Sequence, residues 1–412
     1  MRAKHGAGWT FREVRRMGET QNVVILEARR TAVGSFGGAL KDVPPSTLGV
    51  TAAKAALSAA SVEGGEVQAT VIGNVIHTEP RDMYISRVVS MEAGAPKEAH
   101  ALTVNRLCGS GLQAVVSATQ MVALGDAEIA LAGGAESMSR SGYLIPNARW
   151  GQKMGDTPVV DMMLQALHDP FGHGHMGVTA ENVAKRYQIT REDQDSFAIE
   201  SHRRAAHAQK EGYFEGQIAP VEVKRKKETV LFDQDEHIRP NANLDDMAKL
   251  RPAFQKDGSV TAGNASGLND GGGAVVLATE REAARRGASP LARIVAYGLA
   301  GVEPSEMGMG PAPASRRAME RAGLSFDDLD VIESNEAFAA QACAVSKELS
   351  LDGSKVNPNG GAIALGHPIG ASGAVILTKL LYELKRVKGR YGLATMCIGG
   401  GQGIAVVVEN LA

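Results

Sequence analysis

Two thiols, an imidazole and a carboxamide stand at element boundaries in this 412-residue chain, at Cys108, Cys397, His367 and Asn335. Cys108 lies in VNRLCGSGLQAVVSA, where a strand gives way to a helix. Gly109 and Gly111 let the backbone turn tightly there. The helix aims its first N–H groups at the sulfur, worth about 0.3–1 kcal/mol and up to about 2 when partly buried. That lowers a thiol pKa by about one unit. A thiol starting near about 8.5 stays largely protonated, so activation needs a base. The competing reading is a buried cysteine packing as a small hydrophobe. The G-x-S-x-G elbow is not matched, because Arg106 stands where its first glycine belongs.

His367 sits in the glycine-rich turn PNGGAIALGHPIGASG, and imidazole is the usual base for a cysteine nucleophile. Its alternative is a loop histidine bonded to backbone. Cys397 ends a strand in ATMCIGGGQG, whose glycines expose N–H groups suited to an oxyanion hole. A phosphate-binding turn is the weaker reading, since GGGQG runs into a strand rather than opening a helix. Asn335, in NEAFA, follows the strand DLDVIES and suits holding a water or a carbonyl, or capping a helix. Cys343, inside FAAQACAV, reads as packing. His168, His173 and His175 share one loop without metal-site spacing.

Something must bring these positions together. Short strands are predicted at 23–26, 67–75, 101–104 and 128–132, with helices at 47–60 (Thr47 as cap), 82–92 and 109–124. The rhythm returns after 291, with strands at 291–297, 331–334, 393–397 and 404–409 and helices at 314–322, 336–349 and 372–385. Alternation of this kind predicts βαβ units and a mostly parallel sheet, an α/β fold. The halves repeat: Val104-Asn105 precedes CGSG and a helix, and Val356-Asn357 precedes a turn ending GASG and a helix. The strand after each helix is expected to end in glycines, Gly133-Gly134 and Gly399-Gly400. A duplicated unit places its site where the halves meet, at the strands' carboxyl ends. Residues 139–268 are more charged and read as an insertion, with Thr190 and Asp193 opening a long helix. Residues 1–20 have no apolar core for a secretory signal and read as an extension, Met17 standing just before the first strand.

Composition closes off other classes. Apolar residues are 44% and charged residues 22%, which excludes a disordered chain. Forty-four basic against forty-six acidic residues, with 4% aromatics, argue against a nucleic-acid binder. No apolar run is expected to cross a membrane. Three scattered cysteines suit a reducing compartment, and the expected location is cytoplasmic.

The stretches VNRLCGSGLQA, GGAESMS, HMGVTAENVA, TAGNASGLNDG, NEAFAAQA, NPNGGAIALGHPIGASG and CIGGGQG resemble the thiolase family, over nearly the whole chain past the extension. The resemblance implies two βαβαβαββ halves in a five-layered αβαβα core. The N-terminal half takes 21–138 plus 269–290, the inserted loop domain 139–268 and the C-terminal half 291–412. It implies a reversible Claisen condensation of acetyl-CoA with acetyl-CoA or another short acyl-CoA. Cys108 would carry the acyl group, His367 would take its proton and Cys397 would deprotonate the second substrate. One oxyanion hole would use His367 and a water on Asn335, the other the N–H groups of Cys108 and Gly399. Coenzyme A would meet Ser266, His175 and Met176, the acyl end Met307 and Phe338, and the nucleotide Arg239. The basic run 224–227 would face its phosphates or only solvent. No metal or other cofactor is implied, coenzyme A thioesters being substrates. A homotetramer built as a dimer of dimers is implied, with residues near 143–161 bridging. GLNDGGGA departs from the family in carrying glycines where alanines are usual. Two other readings stay open: a degradative 3-ketoacyl-CoA thiolase preferring longer chains, and an inert acyl-CoA-binding scaffold.

Overall fold

The computed structural model describes residues 20–225 and 228–412, so the proposed extension lies outside the described residues apart from Thr20. The first half runs β1 (Val23–Thr31), α1 (Pro45–Ala59), β2 (Ala69–Gly73), α2 (Ile85–Glu92), β3 (His100–Val104), α3 (Ser110–Leu124) and β4 (Ile129–Ser137). The segment that follows includes α4 (Met176–Tyr187) and α5 (Arg191–Lys210), and the chain then returns to the sheet as β5 (Asn269–Thr279). The second half runs β6 (Ala292–Gly301), α6 (Pro311–Ala322), β7 (Val331–Ser334), α7 (Ala339–Leu349), α8 (Ser372–Val387), β8 (Tyr391–Ile398) and β9 (Gln402–Asn410).

The strands lie in the order β7-β8-β9-β6-β1-β5-β4-β2-β3. Within the sheet the two halves pair through Val24 and Ile25 with Arg293 and Ala292. Each half repeats the other's pairing: β2–β4 and β7–β8 are parallel, while β4–β5 and β8–β9 are antiparallel. In the second half a single parallel bridge from Val356 to Ile332 stands where the first half has β3.

Between the two sheets lie α3 and α8. Leu112, Val115, Leu377 and Leu380 share one buried cluster with Val71 and Val275 of the first half's strands and with Met396 and Val406 of the second's. Outside, α1 and α2 cover the first sheet and α6 covers the second. The result is a five-layered αβαβα stack. The central helices are nearly in contact, for a Cβ at Gly373 would lie 2.2 Å from the Leu112 nitrogen. With its turn, α3 is long and apolar enough by composition to cross a membrane, contrary to the expectation that no run is. The fold instead sandwiches it between sheets.

Several boundaries differ from those expected, and three of them change the reading of named residues. Helix α1 begins at Pro45 after Pro44, so Thr47 lies inside it rather than capping, and its carbonyl accepts from the Thr51 hydroxyl. Proline at the first helical position suits a start, since its missing N–H has no partner there anyway. Gly133 and Gly134 do not end a strand but sit within β4, where a Cβ would lie 2.1 Å from the Gly273 oxygen and 2.2 Å from the Gly370 oxygen. Residues 335–338 are not helical and α7 starts only after Phe338, so Asn335 caps no helix. Thr190 does cap α5, with Asp193 completing the reciprocal pair.

Candidate active site

Cys108 is carried by a turn that the sequence builds at a cost. Leu107 has φ 45°, a left-handed conformation that costs a non-glycine residue roughly 1–3 kcal/mol. Asn105 Oδ1 accepts from the Leu107 N–H at 3.0 Å. Ser110 Oγ accepts from the Arg106 N–H at 2.8 Å and donates to the Leu107 carbonyl at 2.6 Å. The end of β8 presses against this turn. A Cβ on Gly109 would lie 2.5 Å from Ile398 Cδ1, and one on Gly399 would lie 3.1 Å from Leu107 Cδ1. The two glycines therefore let segments nearly three hundred positions apart abut.

This contact brings the thiols together. The Gly399 N–H points at the Cys108 sulfur. Burial pushes the Cys108 thiol up to about 11, against the pull of that N–H and its own. Burial also raises Cys397, and a charge on Cys108 opposes its ionisation further. Neither thiol is a resting thiolate at neutral pH, so a proton acceptor is required.

His367 is fixed on three sides. Its N–H donates to Asn269 Oδ1 at 2.8 Å, and Gly366, at φ 107°, lies flat over that side chain. Ser372 Oγ is 2.6 Å from Nδ1 and donates to the Pro368 carbonyl at 2.9 Å. A Ser372 hydroxyl that donates to Pro368 accepts from Nδ1–H, the tautomer that leaves Nε2 as the acceptor. Asn335 Nδ2 lies 3.5 Å from Nε2. Burial pushes the imidazole down to about 4, which keeps it neutral and able to take a proton. Asn335 Oδ1 is buried and unpartnered, an acceptor open to a donor arriving in the site.

An apolar wall flanks Cys397, formed by Met176, Met307, Ala337 and Phe338. His175 caps α4 by accepting the Gly177 N–H at 3.0 Å on Nδ1, and its ring stacks on Phe254 at 4.7 Å. Burial and then His168 push it down to about 4. One ring nitrogen of each of these histidines is engaged, since His168 Nδ1 is 2.7 Å from the Leu164 carbonyl. Ser266 follows Ala265, which bridges to Phe338, and its N–H donates to the Ala337 carbonyl at 3.0 Å. Arg239 stands apart at the surface. Its N–H donates to His202, and beyond it His237 reaches Gly267. Lys224 and Arg225 are exposed on a hairpin.

Cys343 is not part of this convergence. It lines a cavity of about 360 Å³ with Phe197, Val356 and Asn357, and burial pushes it up to about 12. Ser372, Asn269 and Ser110 hold the site yet were not singled out from the sequence. The only signal for Ser372 was its place five residues after His367 in GASG.

Residues 23–281 match the family model "Thiolase, N-terminal domain" and residues 288–410 match "Thiolase, C-terminal domain". A beta-ketothiolase, BktB, of Cupriavidus necator is 62% identical over 393 residues, covering 95% of this chain and all of the relative. The crystal structure of human mitochondrial 3-ketoacyl-CoA thiolase in complex with CoA is 47% identical with TM-score 0.92, covering 95% of this chain and 98% of that one. The Bacillus anthracis acetyl-CoA acetyltransferase structure is 46% identical with TM-score 0.93, covering 95% and 100%.

Proposed function

Since this chain belongs to the thiolase family, we propose that it works through two neighbouring thiols and one buried imidazole. It is an acyltransferase that reversibly condenses acetyl-CoA with acetyl-CoA or another short acyl-CoA to a 3-ketoacyl-CoA. It binds coenzyme A and its thioesters.

The observation that carries the residue assignment is the contact of the Cys108 turn with the end of β8, beside an imidazole held neutral. His367 Nε2 takes the Cys108 proton as sulfur attacks the thioester carbonyl. The departing CoA thiolate takes the Cys397 proton, leaving an acetyl-cysteine and a Cys397 thiolate, while His367 keeps the Cys108 proton. The Cys397 thiolate then removes a proton from the α-carbon of the second acetyl-CoA. The carbon attacks the acetyl group, and Cys108 departs as thiolate and takes its proton back from His367. A charge on Cys108 opposes ionisation of Cys397, so the two sulfurs do not ionise together, and with Cys108 acetylated Cys397 ionises alone. Developing negative oxygens are met by the N–H groups of Cys108 and Gly399 in one pocket and by His367 with an Asn335-held water in the other. Losing one such donor typically costs about 10²–10³ in rate.

On this reading Ser266, His175, Met176, Met307 and Phe338 line the pantetheine and acyl path, with Arg239 near the nucleotide. The protein needs no cofactor beyond its substrates, and its location is cytoplasmic. Tyr143, Leu144, Trp150 and Met154 are exposed around a small hairpin, which supports a tetramer built as a dimer of dimers. Sedimentation giving only dimers would remove that part of the reading. The activity is tested by adding the protein to acetoacetyl-CoA and CoA. The 3-ketoacyl absorbance is expected to disappear, with kcat/KM highest for short chains. Inactivity on every straight-chain 3-ketoacyl-CoA would overturn the assignment.

A further inference from the structure

Glu136, near the end of β4, is a fully buried carboxyl with no assigned part in the reaction. Its oxygens accept from four N–H groups: Val75 at 3.0 Å, Ile76 at 3.2 Å, Asn74 Nδ2 at 3.1 Å and Gly370 at 2.9 Å. Gly370 lies three positions after His367. It is pressed so close that a Cβ there would sit 2.5 Å from Glu136 Oε2 and 3.1 Å from Asn74 Cα. Ile76 and Ile369 belong to the cluster against which Cys108 packs. One carboxyl thus ties together two segments that border the nucleophile, one of them carrying its base.

We infer that Glu136 is a positioning residue for acyl transfer, clamping the His367 turn against the 74–76 segment beside Cys108. Three contacts fix the 74–76 segment to the strand and the Gly370 N–H fixes the turn to the same carboxyl, which suits a base whose aim at the sulfur must hold within a fraction of an ångström. The charged and titratable groups facing the clamp are Cys108 and Asp82, with His367 at the far end of the turn it holds. Burial pushes Glu136 up to about 8 against its N–H partners. Glutamine is nearly the same size but turns an NH₂ toward this ring of donors, so at least one contact is lost. Aspartate keeps both acceptor oxygens but withdraws them by one carbon.

The inference rests on the proposed roles of Cys108 and His367, and the experiment separates the two. Competent sites are counted by stoichiometric alkylation of Cys108, and kcat and KM for acetoacetyl-CoA thiolysis are expressed per competent site. Glu136→Gln is expected to lower kcat about tenfold to a hundredfold, the usual effect of a misplacement of about 1 Å. KM should stay within about threefold, because substrate contacts are intact. Glu136→Asp should recover part of kcat, and it decides the matter if the glutamine variant does not fold. Wild-type kcat per site in the variant that folds, or a loss explained wholly by fewer competent sites, overturns the clamp. Full turnover by Cys108→Ala overturns the site reading and the clamp with it.

Discussion

A neutral imidazole is what a protonated nucleophile needs beside it, and burial supplies one at His367. Its folded value of about 4 lies below the ordinary value of about 6.5. The unfolded chain therefore binds the proton more readily, and stability rises with pH through that window. The contribution is fully present above about 6.5 and is lost as pH falls toward 4. Urea midpoints measured from pH 7 to pH 4 are expected to fall, with a shallower slope in His367→Asn; an unchanged slope would contradict a buried neutral ring. His367, Cys108, Cys397 and Asn335 were legible in the sequence because reactive residue types stood at element ends. Asn269 and Glu136 were not, because their roles depend on bonds spanning 98 and 234 positions, which no local pattern encodes.

Among the elements, α3 was recovered where period and flanking glycines agreed, and β7 from its short apolar run. The misread glycines have a physical cause. Gly133 and Gly134 look like a strand terminus, yet they allow neighbouring backbones to approach closer than any Cβ permits. The same holds between α3 and α8, where Gly111 and Gly373 face the opposing helix backbone. These helices lie side by side, with Cys108 at the start of one and the His367 turn leading into the other, so their spacing fixes the gap between thiol and base. Gly373→Ala places a methyl 2.2 Å from the Leu112 nitrogen. Overpacking typically costs about 1–3 kcal/mol, and the variant is expected to lose that much in urea denaturation together with activity. Full retention of both would show that the helix spacing does not govern the site.

At the scale of the whole molecule, duplication explains why one centre draws on distant segments. The first half supplies Cys108 at a strand-to-helix junction, and the second supplies Asn335, His367 and Cys397 at the ends of its own strands and turns. The stacking of the sheets about α3 and α8 superposes these ends. Repetition in the sequence predicted that meeting point, while the inserted segment added the Met176 wall that no repeat foretells. The central claim is that two thiols with different tasks share this centre. Mass spectrometry of Cys397→Ala after mixing with acetyl-CoA tests it most directly. An acetyl group on the Cys108 peptide with no 3-ketoacyl-CoA formed is the predicted result; condensation at the wild-type rate, or acetyl found only elsewhere, would contradict the account.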